Sequence, residues 1–373
     1  MTAHGGVNCY SVWEGSTATV AKVTVMDTLP PLATGETAAP SPGQLRELYS
    51  LMVAVRHLDS SAVAWQRQGI IPGYAPELGQ EAAQVGSGYA VDLTRDFVFP
   101  TYREMGVARA MGVDMVAYMA THKATWHGGL YDPMESRLAP IQAVVAGSVL
   151  HAVGWAHGQT LTGTADGKLG VALSYFGDGA SSQGDVHEAM NFAALMKAPV
   201  VFFVQNNGWA ISVPTERQVA GGSVAARAQG YGIPAIQVDG NDVVAVLEAT
   251  RHALAHCRSG NGPALVEAMT YRRGPHSTSD DPGRYRSLAE ERDGGGEDPL
   301  ERFRQRLLAD GIADEAFFAA ALAAAKAEEE QIRAGIQALG PRPGNEMFDL
   351  VFQETTPALQ AQGASWREES EHV

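Results

Sequence analysis

Cysteine is almost missing from this chain of 373 residues: Cys9 and Cys257 are the only two. That excludes a disulfide framework and a four-ligand zinc site, and it fits a reducing compartment. Long apolar runs are also lacking. None approaches the roughly 18 residues of a membrane helix, and before Arg46 the only basic residue is Lys22, unlike an Arg-rich transit peptide. The cytoplasm, with no membrane contact, is therefore expected. Basic charge is scarce: 27 Lys and Arg against 42 Asp and Glu leave a net charge of −15, which argues against nucleic acid or an anionic membrane as a partner. A local basic pocket for phosphate remains allowed. Charged residues make up only 18% of the chain, below the usual fraction, as expected where much surface is buried against partner proteins. No Gly-x-Gly-x-x-Gly opens a helix after a strand, so a dinucleotide-binding oxidoreductase is disfavoured. No internal repeat is evident.

What is present reads as one large α/β unit between two less regular ends. Residues 1–42 are rich in Thr, Ala, Gly and Pro and predict a flexible extension or a partner-clasping arm. Residues 43–289 carry the α/β pattern, and residues 290–373 a linker, a helical tail and a docking segment. Within the middle part, residues 44–68 form an apolar stripe of helical period. Residues 79–89 predict a small-residue helix able to pack closely on a neighbour, and residues 97–99 a short strand. Residues 144–158, nearly all small or apolar, predict a buried helix. Strands at 171–176, 200–204, 233–238 and 264–269 alternate with helices at 186–197 and 243–257, the signature of a doubly wound parallel sheet. Asp185 and Glu188 have the spacing of a capping box. The charged, glycine-rich residues 290–298 read as the linker. Residues 299–339 read as helix, with Glu328, Glu329 and Glu330 on a solvated face. Phe348, Leu350, Val351 and Phe352 would be exposed in isolation and are expected to dock on the body or a partner.

The chain is organised around residues 171–212. They read strand, acidic glycine turn (Gly177-Asp178-Gly179), helix, strand, amide turn (Asn206-Asn207). If the two strands are parallel neighbours, the right-handed crossover brings Asp178 and Asn207 to the same carboxyl edge, where ligands of open α/β sheets bind. Asp178 offers a carboxylate oxygen, Asn207 an amide oxygen, and the following turn a carbonyl, with Trp209 favoured. Hard oxygens of this kind suit Mg²⁺ shared with a diphosphate. Gly177 and Gly179 allow close backbone approach to phosphate, and the helix starting near Asp185 aims free N–H groups at the same region. Taken singly, Gly-Asp-Gly and Asn-Asn-Gly are ordinary turns; their joint placement is what points to a metal-bridged diphosphate.

Two further groups belong with this edge. Tyr102-Arg103 follows a short strand, and arginine is suited to bidentate phosphate contact, although alone it reads equally as a surface residue. His276 lies in a polar loop, residues 271–285, directly after a strand. It can shuttle protons or stabilise developing charge there; the other reading is a solvated histidine on a mobile loop. His127 reads as structural, and His151, His157, His252 and His256 as helical bystanders.

These motifs together resemble the alpha subunit of the thiamine diphosphate-dependent, decarboxylating component of 2-oxo acid dehydrogenase complexes, nearest to the bacterial branched-chain type. The resemblance runs from about residue 44 to 285 through GQEA at 79–82, TYREMGV at 101–107, TWHGG at 125–129, GDGASSQGDVHEAMNFAA at 177–194, QNNGWAIS at 205–212 and GPHSTSDDPGRYR at 274–286. It implies the thiamine diphosphate-binding fold, its diphosphate-binding half. Asp178, Asn207 and the Trp209 carbonyl would hold Mg²⁺, and Tyr102, Arg103, Gly177, Gly179, Ala180, Gln205 and His276 would surround the diphosphate. Val145 would pack on the pyrimidine, and His276 would act catalytically. Gln205 stands where branched-chain relatives often place arginine, and AVVAGS at 143–148 replaces a Ser-Pro-Leu-Ala-Thr-Gln segment that often holds a monovalent cation.

The implied activity is oxidative decarboxylation of a 2-oxo acid with reductive acylation of the lipoyl group of a partner acyltransferase, in an α₂β₂ assembly with a beta subunit. Pyruvate or acetoin are alternatives to a branched-chain acid, with Tyr74 and Trp126 as candidate pocket walls. A non-catalytic, assembly-only paralogue is the rival from another class.

Overall fold

Five strands, all parallel, form the central sheet in the order β1-β2-β3-β7-β6. In the computed structural model the described residues are 28–30, 39–124, 129–163, 167–349 and 351–370. The expectations attached to Cys9, Lys22, Trp126, His127 and Leu350 lie outside them. The sheet strands are β1 (Phe97–Phe99), β2 (Ala172–Gly177), β3 (Val200–Asn206), β6 (Ala235–Asp239) and β7 (Ala264–Met269), while β4 (Trp209–Ala210) and β5 (Val213–Pro214) make a small antiparallel hairpin.

Alternate residues feed two cores. In β3, Val201 and Phe203 join one apolar cluster, and Val200, Phe202 and Val204 join the other. A strand buried on both faces must be apolar without a break, which is why these runs stood out in the sequence. Chain order moves outward through β1, β2 and β3, then jumps to β6 and returns to β7 beside β3. Between β3 and β7 the winding reverses, and open α/β sheets leave a crevice at the carboxyl ends of such a pair.

Among the described residues the helices begin with α1 (Pro42–Arg67), α2 (Glu81–Gly88) and α3 (Met105–Ala110). Ser41 and Gln44 complete a capping box at the start of α1. Leu48, Met52, Val55 and Leu58 of that helix are buried, each contributing about 1.5–3 kcal/mol. The cap is worth about 1 kcal/mol, so packing dominates. In α2 the close approach is literal: a Cβ on Gly86 would lie 2.7 Å from the Val243 carbonyl oxygen.

Helices α4 (Met115–Met119) and α5 (Pro133–Ser136) precede α6 (Val149–Thr162). The helix expected at 144–158 starts later, because Ala146 takes φ 63° and the chain turns there. Nor is α6 wholly buried within the expected range: His151 and Gly154 are exposed. Helix α7 (Gly184–Met196) begins one residue before Asp185 and its N-cap is Gln183, so no Asp185–Glu188 box forms.

Helices α8 (Val224–Gln229) and α9 (Val243–Arg258) flank β6. Beyond the sheet come α10 (Leu288–Asp293), α11 (Pro299–Ala309), α12 (Glu315–Ala338), α13 (Glu346–Asp349) and α14 (Pro357–Ser370).

The two ends add detail to the expectations for them. The segment read as a linker starts inside α10 and is held by the Arg286–Glu291 ion pair. Helix α12 is not solvated throughout. It packs on α1 through Phe318, Ala321 and Ala325, with Glu328 paired to Arg109 and Glu329 accepting from Trp65 Nε1. Phe348 packs on Trp366 of α14 with ring centroids 5.9 Å apart, while Val351 and Phe352 are exposed. From the expected N-terminal extension, Thr28–Pro30 is docked: Thr28 N donates to Ala235 O on the edge strand at 3.0 Å, and Leu29 is 6% exposed. Among the described residues no helix is long and apolar enough to cross a membrane.

Candidate functional site

Strands β2 and β3 pair in register to Gly177 and Gln205, so the two turns that follow emerge side by side. Asp178 is 1% exposed. Thr215 Oγ1 donates to its Oδ2 at 2.6 Å, and Gln218 Nε2 donates to its main-chain oxygen at 2.6 Å. Burial pushes its pKa above the usual carboxylate value, opposed by bonds from Thr215 and the main-chain N–H of Asn207. Among the described residues no salt bridge neutralises it. The Arg272 charge acts on it only from beyond ion-pair distance, and a buried carboxylate with no direct partner favours a bound cation.

Asn207 stands on the adjoining turn, which Gly208 closes with φ +85°. Its Oδ1 accepts from Trp209 N at 3.3 Å, and its Nδ2 donates to Gln80 Oε1 at 3.1 Å. The Trp209 carbonyl meets Arg272 Nη1 only at 3.5 Å, the outer limit of a hydrogen bond. One carboxylate, one amide oxygen and one carbonyl form a hard-oxygen set of low charge, consistent with a Mg²⁺ ion whose shell a diphosphate completes. Among the described residues no group of three or more His, Cys, Asp or Glu could hold a metal instead.

Gly179 is required by contact: a Cβ there would sit 2.7 Å from Ala210 Cβ on the hairpin. Gly177 ends β2, and Ala180 opens the short turn before α7. At the hairpin tip Ile211 has φ 55°, a strained value for a β-branched residue. Its carbonyl accepts from Arg272 Nη2 at 2.8 Å.

Arg103 and His276 meet across the switch point. Arg103 is 7% exposed, with Nη1 donating to Pro76 O and Nη2 donating to His276 O at 2.6 Å. The same Nη2 lies 3.2 Å from His276 Nδ1. The guanidinium fork is therefore committed to protein acceptors, and the expected bidentate phosphate contact is replaced by whatever Nε and the second Nη1 hydrogen can reach. The Tyr102 ring stands edge-on to His276 at 6.0 Å. Burial, with the charges of Arg103 and Arg272 adding to it, pulls the His276 pKa down to about 4. The loop is anchored by His276 N donating to Asp280 Oδ2 at 2.7 Å, and by Thr278 N donating to Tyr74 O at 2.8 Å.

Other expected residues fall differently. Gln205 is buried and its Nε2 donates to Glu104 Oε1 at 2.7 Å. Its donor end is thus committed to the turn after β1 instead of to a diphosphate. Tyr74 is 5% exposed with its hydroxyl on Asp59; it is core, not a free pocket wall. Val145 is 46% exposed, and among the described residues none of the hydrogen bonds joining this site reaches it.

Sequence reasoning missed Glu104, Gln80, Thr215 and Arg272. Glu104 accepts from Thr101 N and Oγ1 as well as from Gln205, tying the Tyr102-Arg103 turn to the end of β3. Glu104 and Gln80 lay inside quoted motifs, TYRE and GQEA, the only signal that pointed to them.

The family model described as "Dehydrogenase E1 component" matches residues 49–338. A 3-methyl-2-oxobutanoate dehydrogenase subunit alpha of Mycobacterium tuberculosis is 43% identical over 325 residues, covering 87% of each chain. A pyruvate dehydrogenase E1 component subunit alpha of Staphylococcus epidermidis is 36% identical over 329 residues, 87% of this chain and 86% of its own. The pyruvate dehydrogenase counterpart from Staphylococcus aureus is 40% identical over 273 residues, 73% and 72% of the two chains.

Proposed function

The chain belongs to the dehydrogenase E1 component family, as an alpha subunit of the 2-oxo acid dehydrogenase class, and we propose that it supplies the diphosphate half of a thiamine diphosphate site acting on a branched-chain 2-oxo acid. The observation that carries the reading is the convergence of Asp178, the Asn207–Trp209 turn and the Arg103–His276 pair at the switch point of the sheet. Asp178, Asn207 and the Trp209 carbonyl would hold Mg²⁺. Gly177, Gly179 and Ala180 would let the diphosphate approach the backbone, with Tyr102, Arg103 and His276 around it and Val145 toward the pyrimidine. The sheet domain would then be the doubly wound thiamine diphosphate-binding fold.

Thiamine diphosphate would provide the carbanion chemistry that releases carbon dioxide from the 2-oxo acid. The chain's own part is position and electrostatics. His276, neutral at working pH because burial and two arginines depress its pKa, would orient the oxo acid by hydrogen bonding and assist acyl transfer to the lipoyl arm of a partner acyltransferase. Arg103 fixes that imidazole through its main-chain carbonyl. A beta subunit in an α₂β₂ assembly would bring the pyrimidine half; the alpha-subunit names of the relatives support a beta partner.

The Mycobacterium tuberculosis relative supports a branched-chain acid, and the staphylococcal relatives support pyruvate as the second reading. Co-expression with a beta subunit and decarboxylation assays on 3-methyl-2-oxobutanoate and pyruvate test both. Faster turnover of the former is expected; turnover of pyruvate alone would overturn the substrate assignment, and turnover of neither would overturn the enzyme reading.

A further inference from the structure

Asn207 can face a cation with its oxygen only if its amide is held the right way round, and one buried side chain holds it. Gln80 lies on the turn before α2 and is fully buried. Its Oε1 accepts from Asn207 Nδ2 at 3.1 Å. At the other end of the Asn207 amide, Trp209 N approaches Oδ1 at 3.3 Å. A main-chain N–H is a donor only, so the Asn207 oxygen must point to Trp209. Its NH₂ must then point to Gln80, which is obliged to present its own oxygen.

That obligation has a visible cost. Gln80 Nε2 is left buried with no hydrogen-bond partner. Rotating the Gln80 amide would set its NH₂ against that of Asn207, donor against donor. An orphaned donor is retained where the bond at the other end of the same amide matters.

The backbone fixes Gln80 in place. Gly79 has φ +94°, and a Cβ there would lie 2.6 Å from the Tyr271 carbonyl oxygen. The turn is also stitched to the chain after β7: Thr270 Oγ1 donates to Gly79 O at 2.8 Å, and Arg273 N donates to Leu78 O at 3.2 Å. The Gly79-Gln80 pair is thus wedged under the carboxyl ends of β3 and β7, with its amide oxygen aimed at Asn207.

We propose that Gln80 is a positioning residue for the divalent cation: it sets the orientation of the Asn207 amide so that the second lone pair of Oδ1 is presented to the metal beside Asp178. The proposal rests on the reading of Asp178, Asn207 and Trp209 as Mg²⁺ ligands. Partners that orient a metal ligand typically change metal affinity 10–100-fold when removed.

The test uses the assembled enzyme with its beta subunit and measures, by calorimetry, the Mg²⁺ concentration that half-saturates thiamine diphosphate binding. Gln80→Met is close in shape and lacks the acceptor; about a 10–100-fold rise is expected, with kcat restored at saturating Mg²⁺. Gln80→Glu keeps an acceptor and should bind as tightly as the parent or more tightly. A Gln80→Met enzyme with the parental Mg²⁺ constant overturns the proposal, as does one whose loss Mg²⁺ cannot rescue. If Gln80→Met does not assemble, Gln80→Glu decides, because about a tenfold loss at an unchanged melting temperature contradicts the acceptor role. Asp178→Ala separates the two layers. Parental Mg²⁺-dependent binding in that variant removes the ligand assignment itself, whereas loss there with a silent Gln80→Met removes only the role of Gln80.

Discussion

The guanidinium of Arg103 donates to the main-chain carbonyl of His276 at 2.6 Å and lies 3.2 Å from its imidazole Nδ1. Burial disfavours charge on the ring and the nearby cation adds to it, which pulls the imidazole pKa down to about 4. With Nδ1 facing a donor, the proton of the neutral ring resides on Nε2.

A flat pH profile follows. Acyl transfer should show no histidine titration between about pH 6 and 8. Arg103→Met removes a like charge and should move the His276 titration up toward its ordinary value, read from its imidazole NMR signals. An unchanged titration in Arg103→Met would leave burial and the Arg272 charge as the cause of the shift.

Stability should carry the same signature. The folded-state pKa of His276 is depressed, so the unfolded chain binds the extra proton first. The stabilising contribution is complete above the ordinary histidine value of about 6.5 and declines as pH falls from there to about 4. His122, drawn down to about 4 by burial, adds to that window. Melting temperatures across pH 4–7 should fall less steeply in His276→Ala than in the parent.

His276→Ala should keep the cofactor. The Arg103 bond goes to the His276 main chain and Asp280 holds its N–H, so the loop stays in place without the ring. Reductive acylation of lipoyl should drop by about 10²-fold or more; full turnover would remove His276 from the reaction.

Glu104 is a separable case. It is buried, its pKa is pushed up by that burial, and it accepts from Thr101 and Gln205. Glu104→Leu leaves the buried Gln205 amide and the part-buried Thr101 N–H unpaired and should cost on the order of 2–6 kcal/mol of stability. Glu104→Gln keeps an acceptor for Thr101 and should cost less. Equal losses in denaturant titration would point to packing alone.

Gly179→Ala should weaken cofactor binding by displacing the hairpin through Ala210, at 2.7 Å from the added methyl carbon. Unaltered affinity by calorimetry would mean that the hairpin yields without moving Trp209.

Much of this was legible in the sequence where the physics is local. Two uninterrupted apolar runs, each ending in a polar turn, could only be strands buried on both faces, and their pairing placed Asp178 beside Asn207. The start of α6 was misplaced because residues 144–148 are as apolar as the helix itself, and only the positive φ of Ala146 separates them. Glu104, Gln80 and Thr215 were invisible for another reason. Each acts through a partner 101, 127 or 37 positions away, and no periodicity encodes such a meeting. Helix α12 was read as solvated because its glutamates were visible while their partners, Arg109 and Trp65, lie more than 200 positions distant.

The most direct test of the central claim is calorimetric titration of thiamine diphosphate, with and without Mg²⁺, into the chain assembled with its beta subunit, set against Asp178→Ala. Binding by the parent only with Mg²⁺, and its loss in the variant, is the predicted result. Equal affinity in parent and variant, or binding indifferent to Mg²⁺, would contradict the assignment of this edge of the sheet as a metal-bridged diphosphate site.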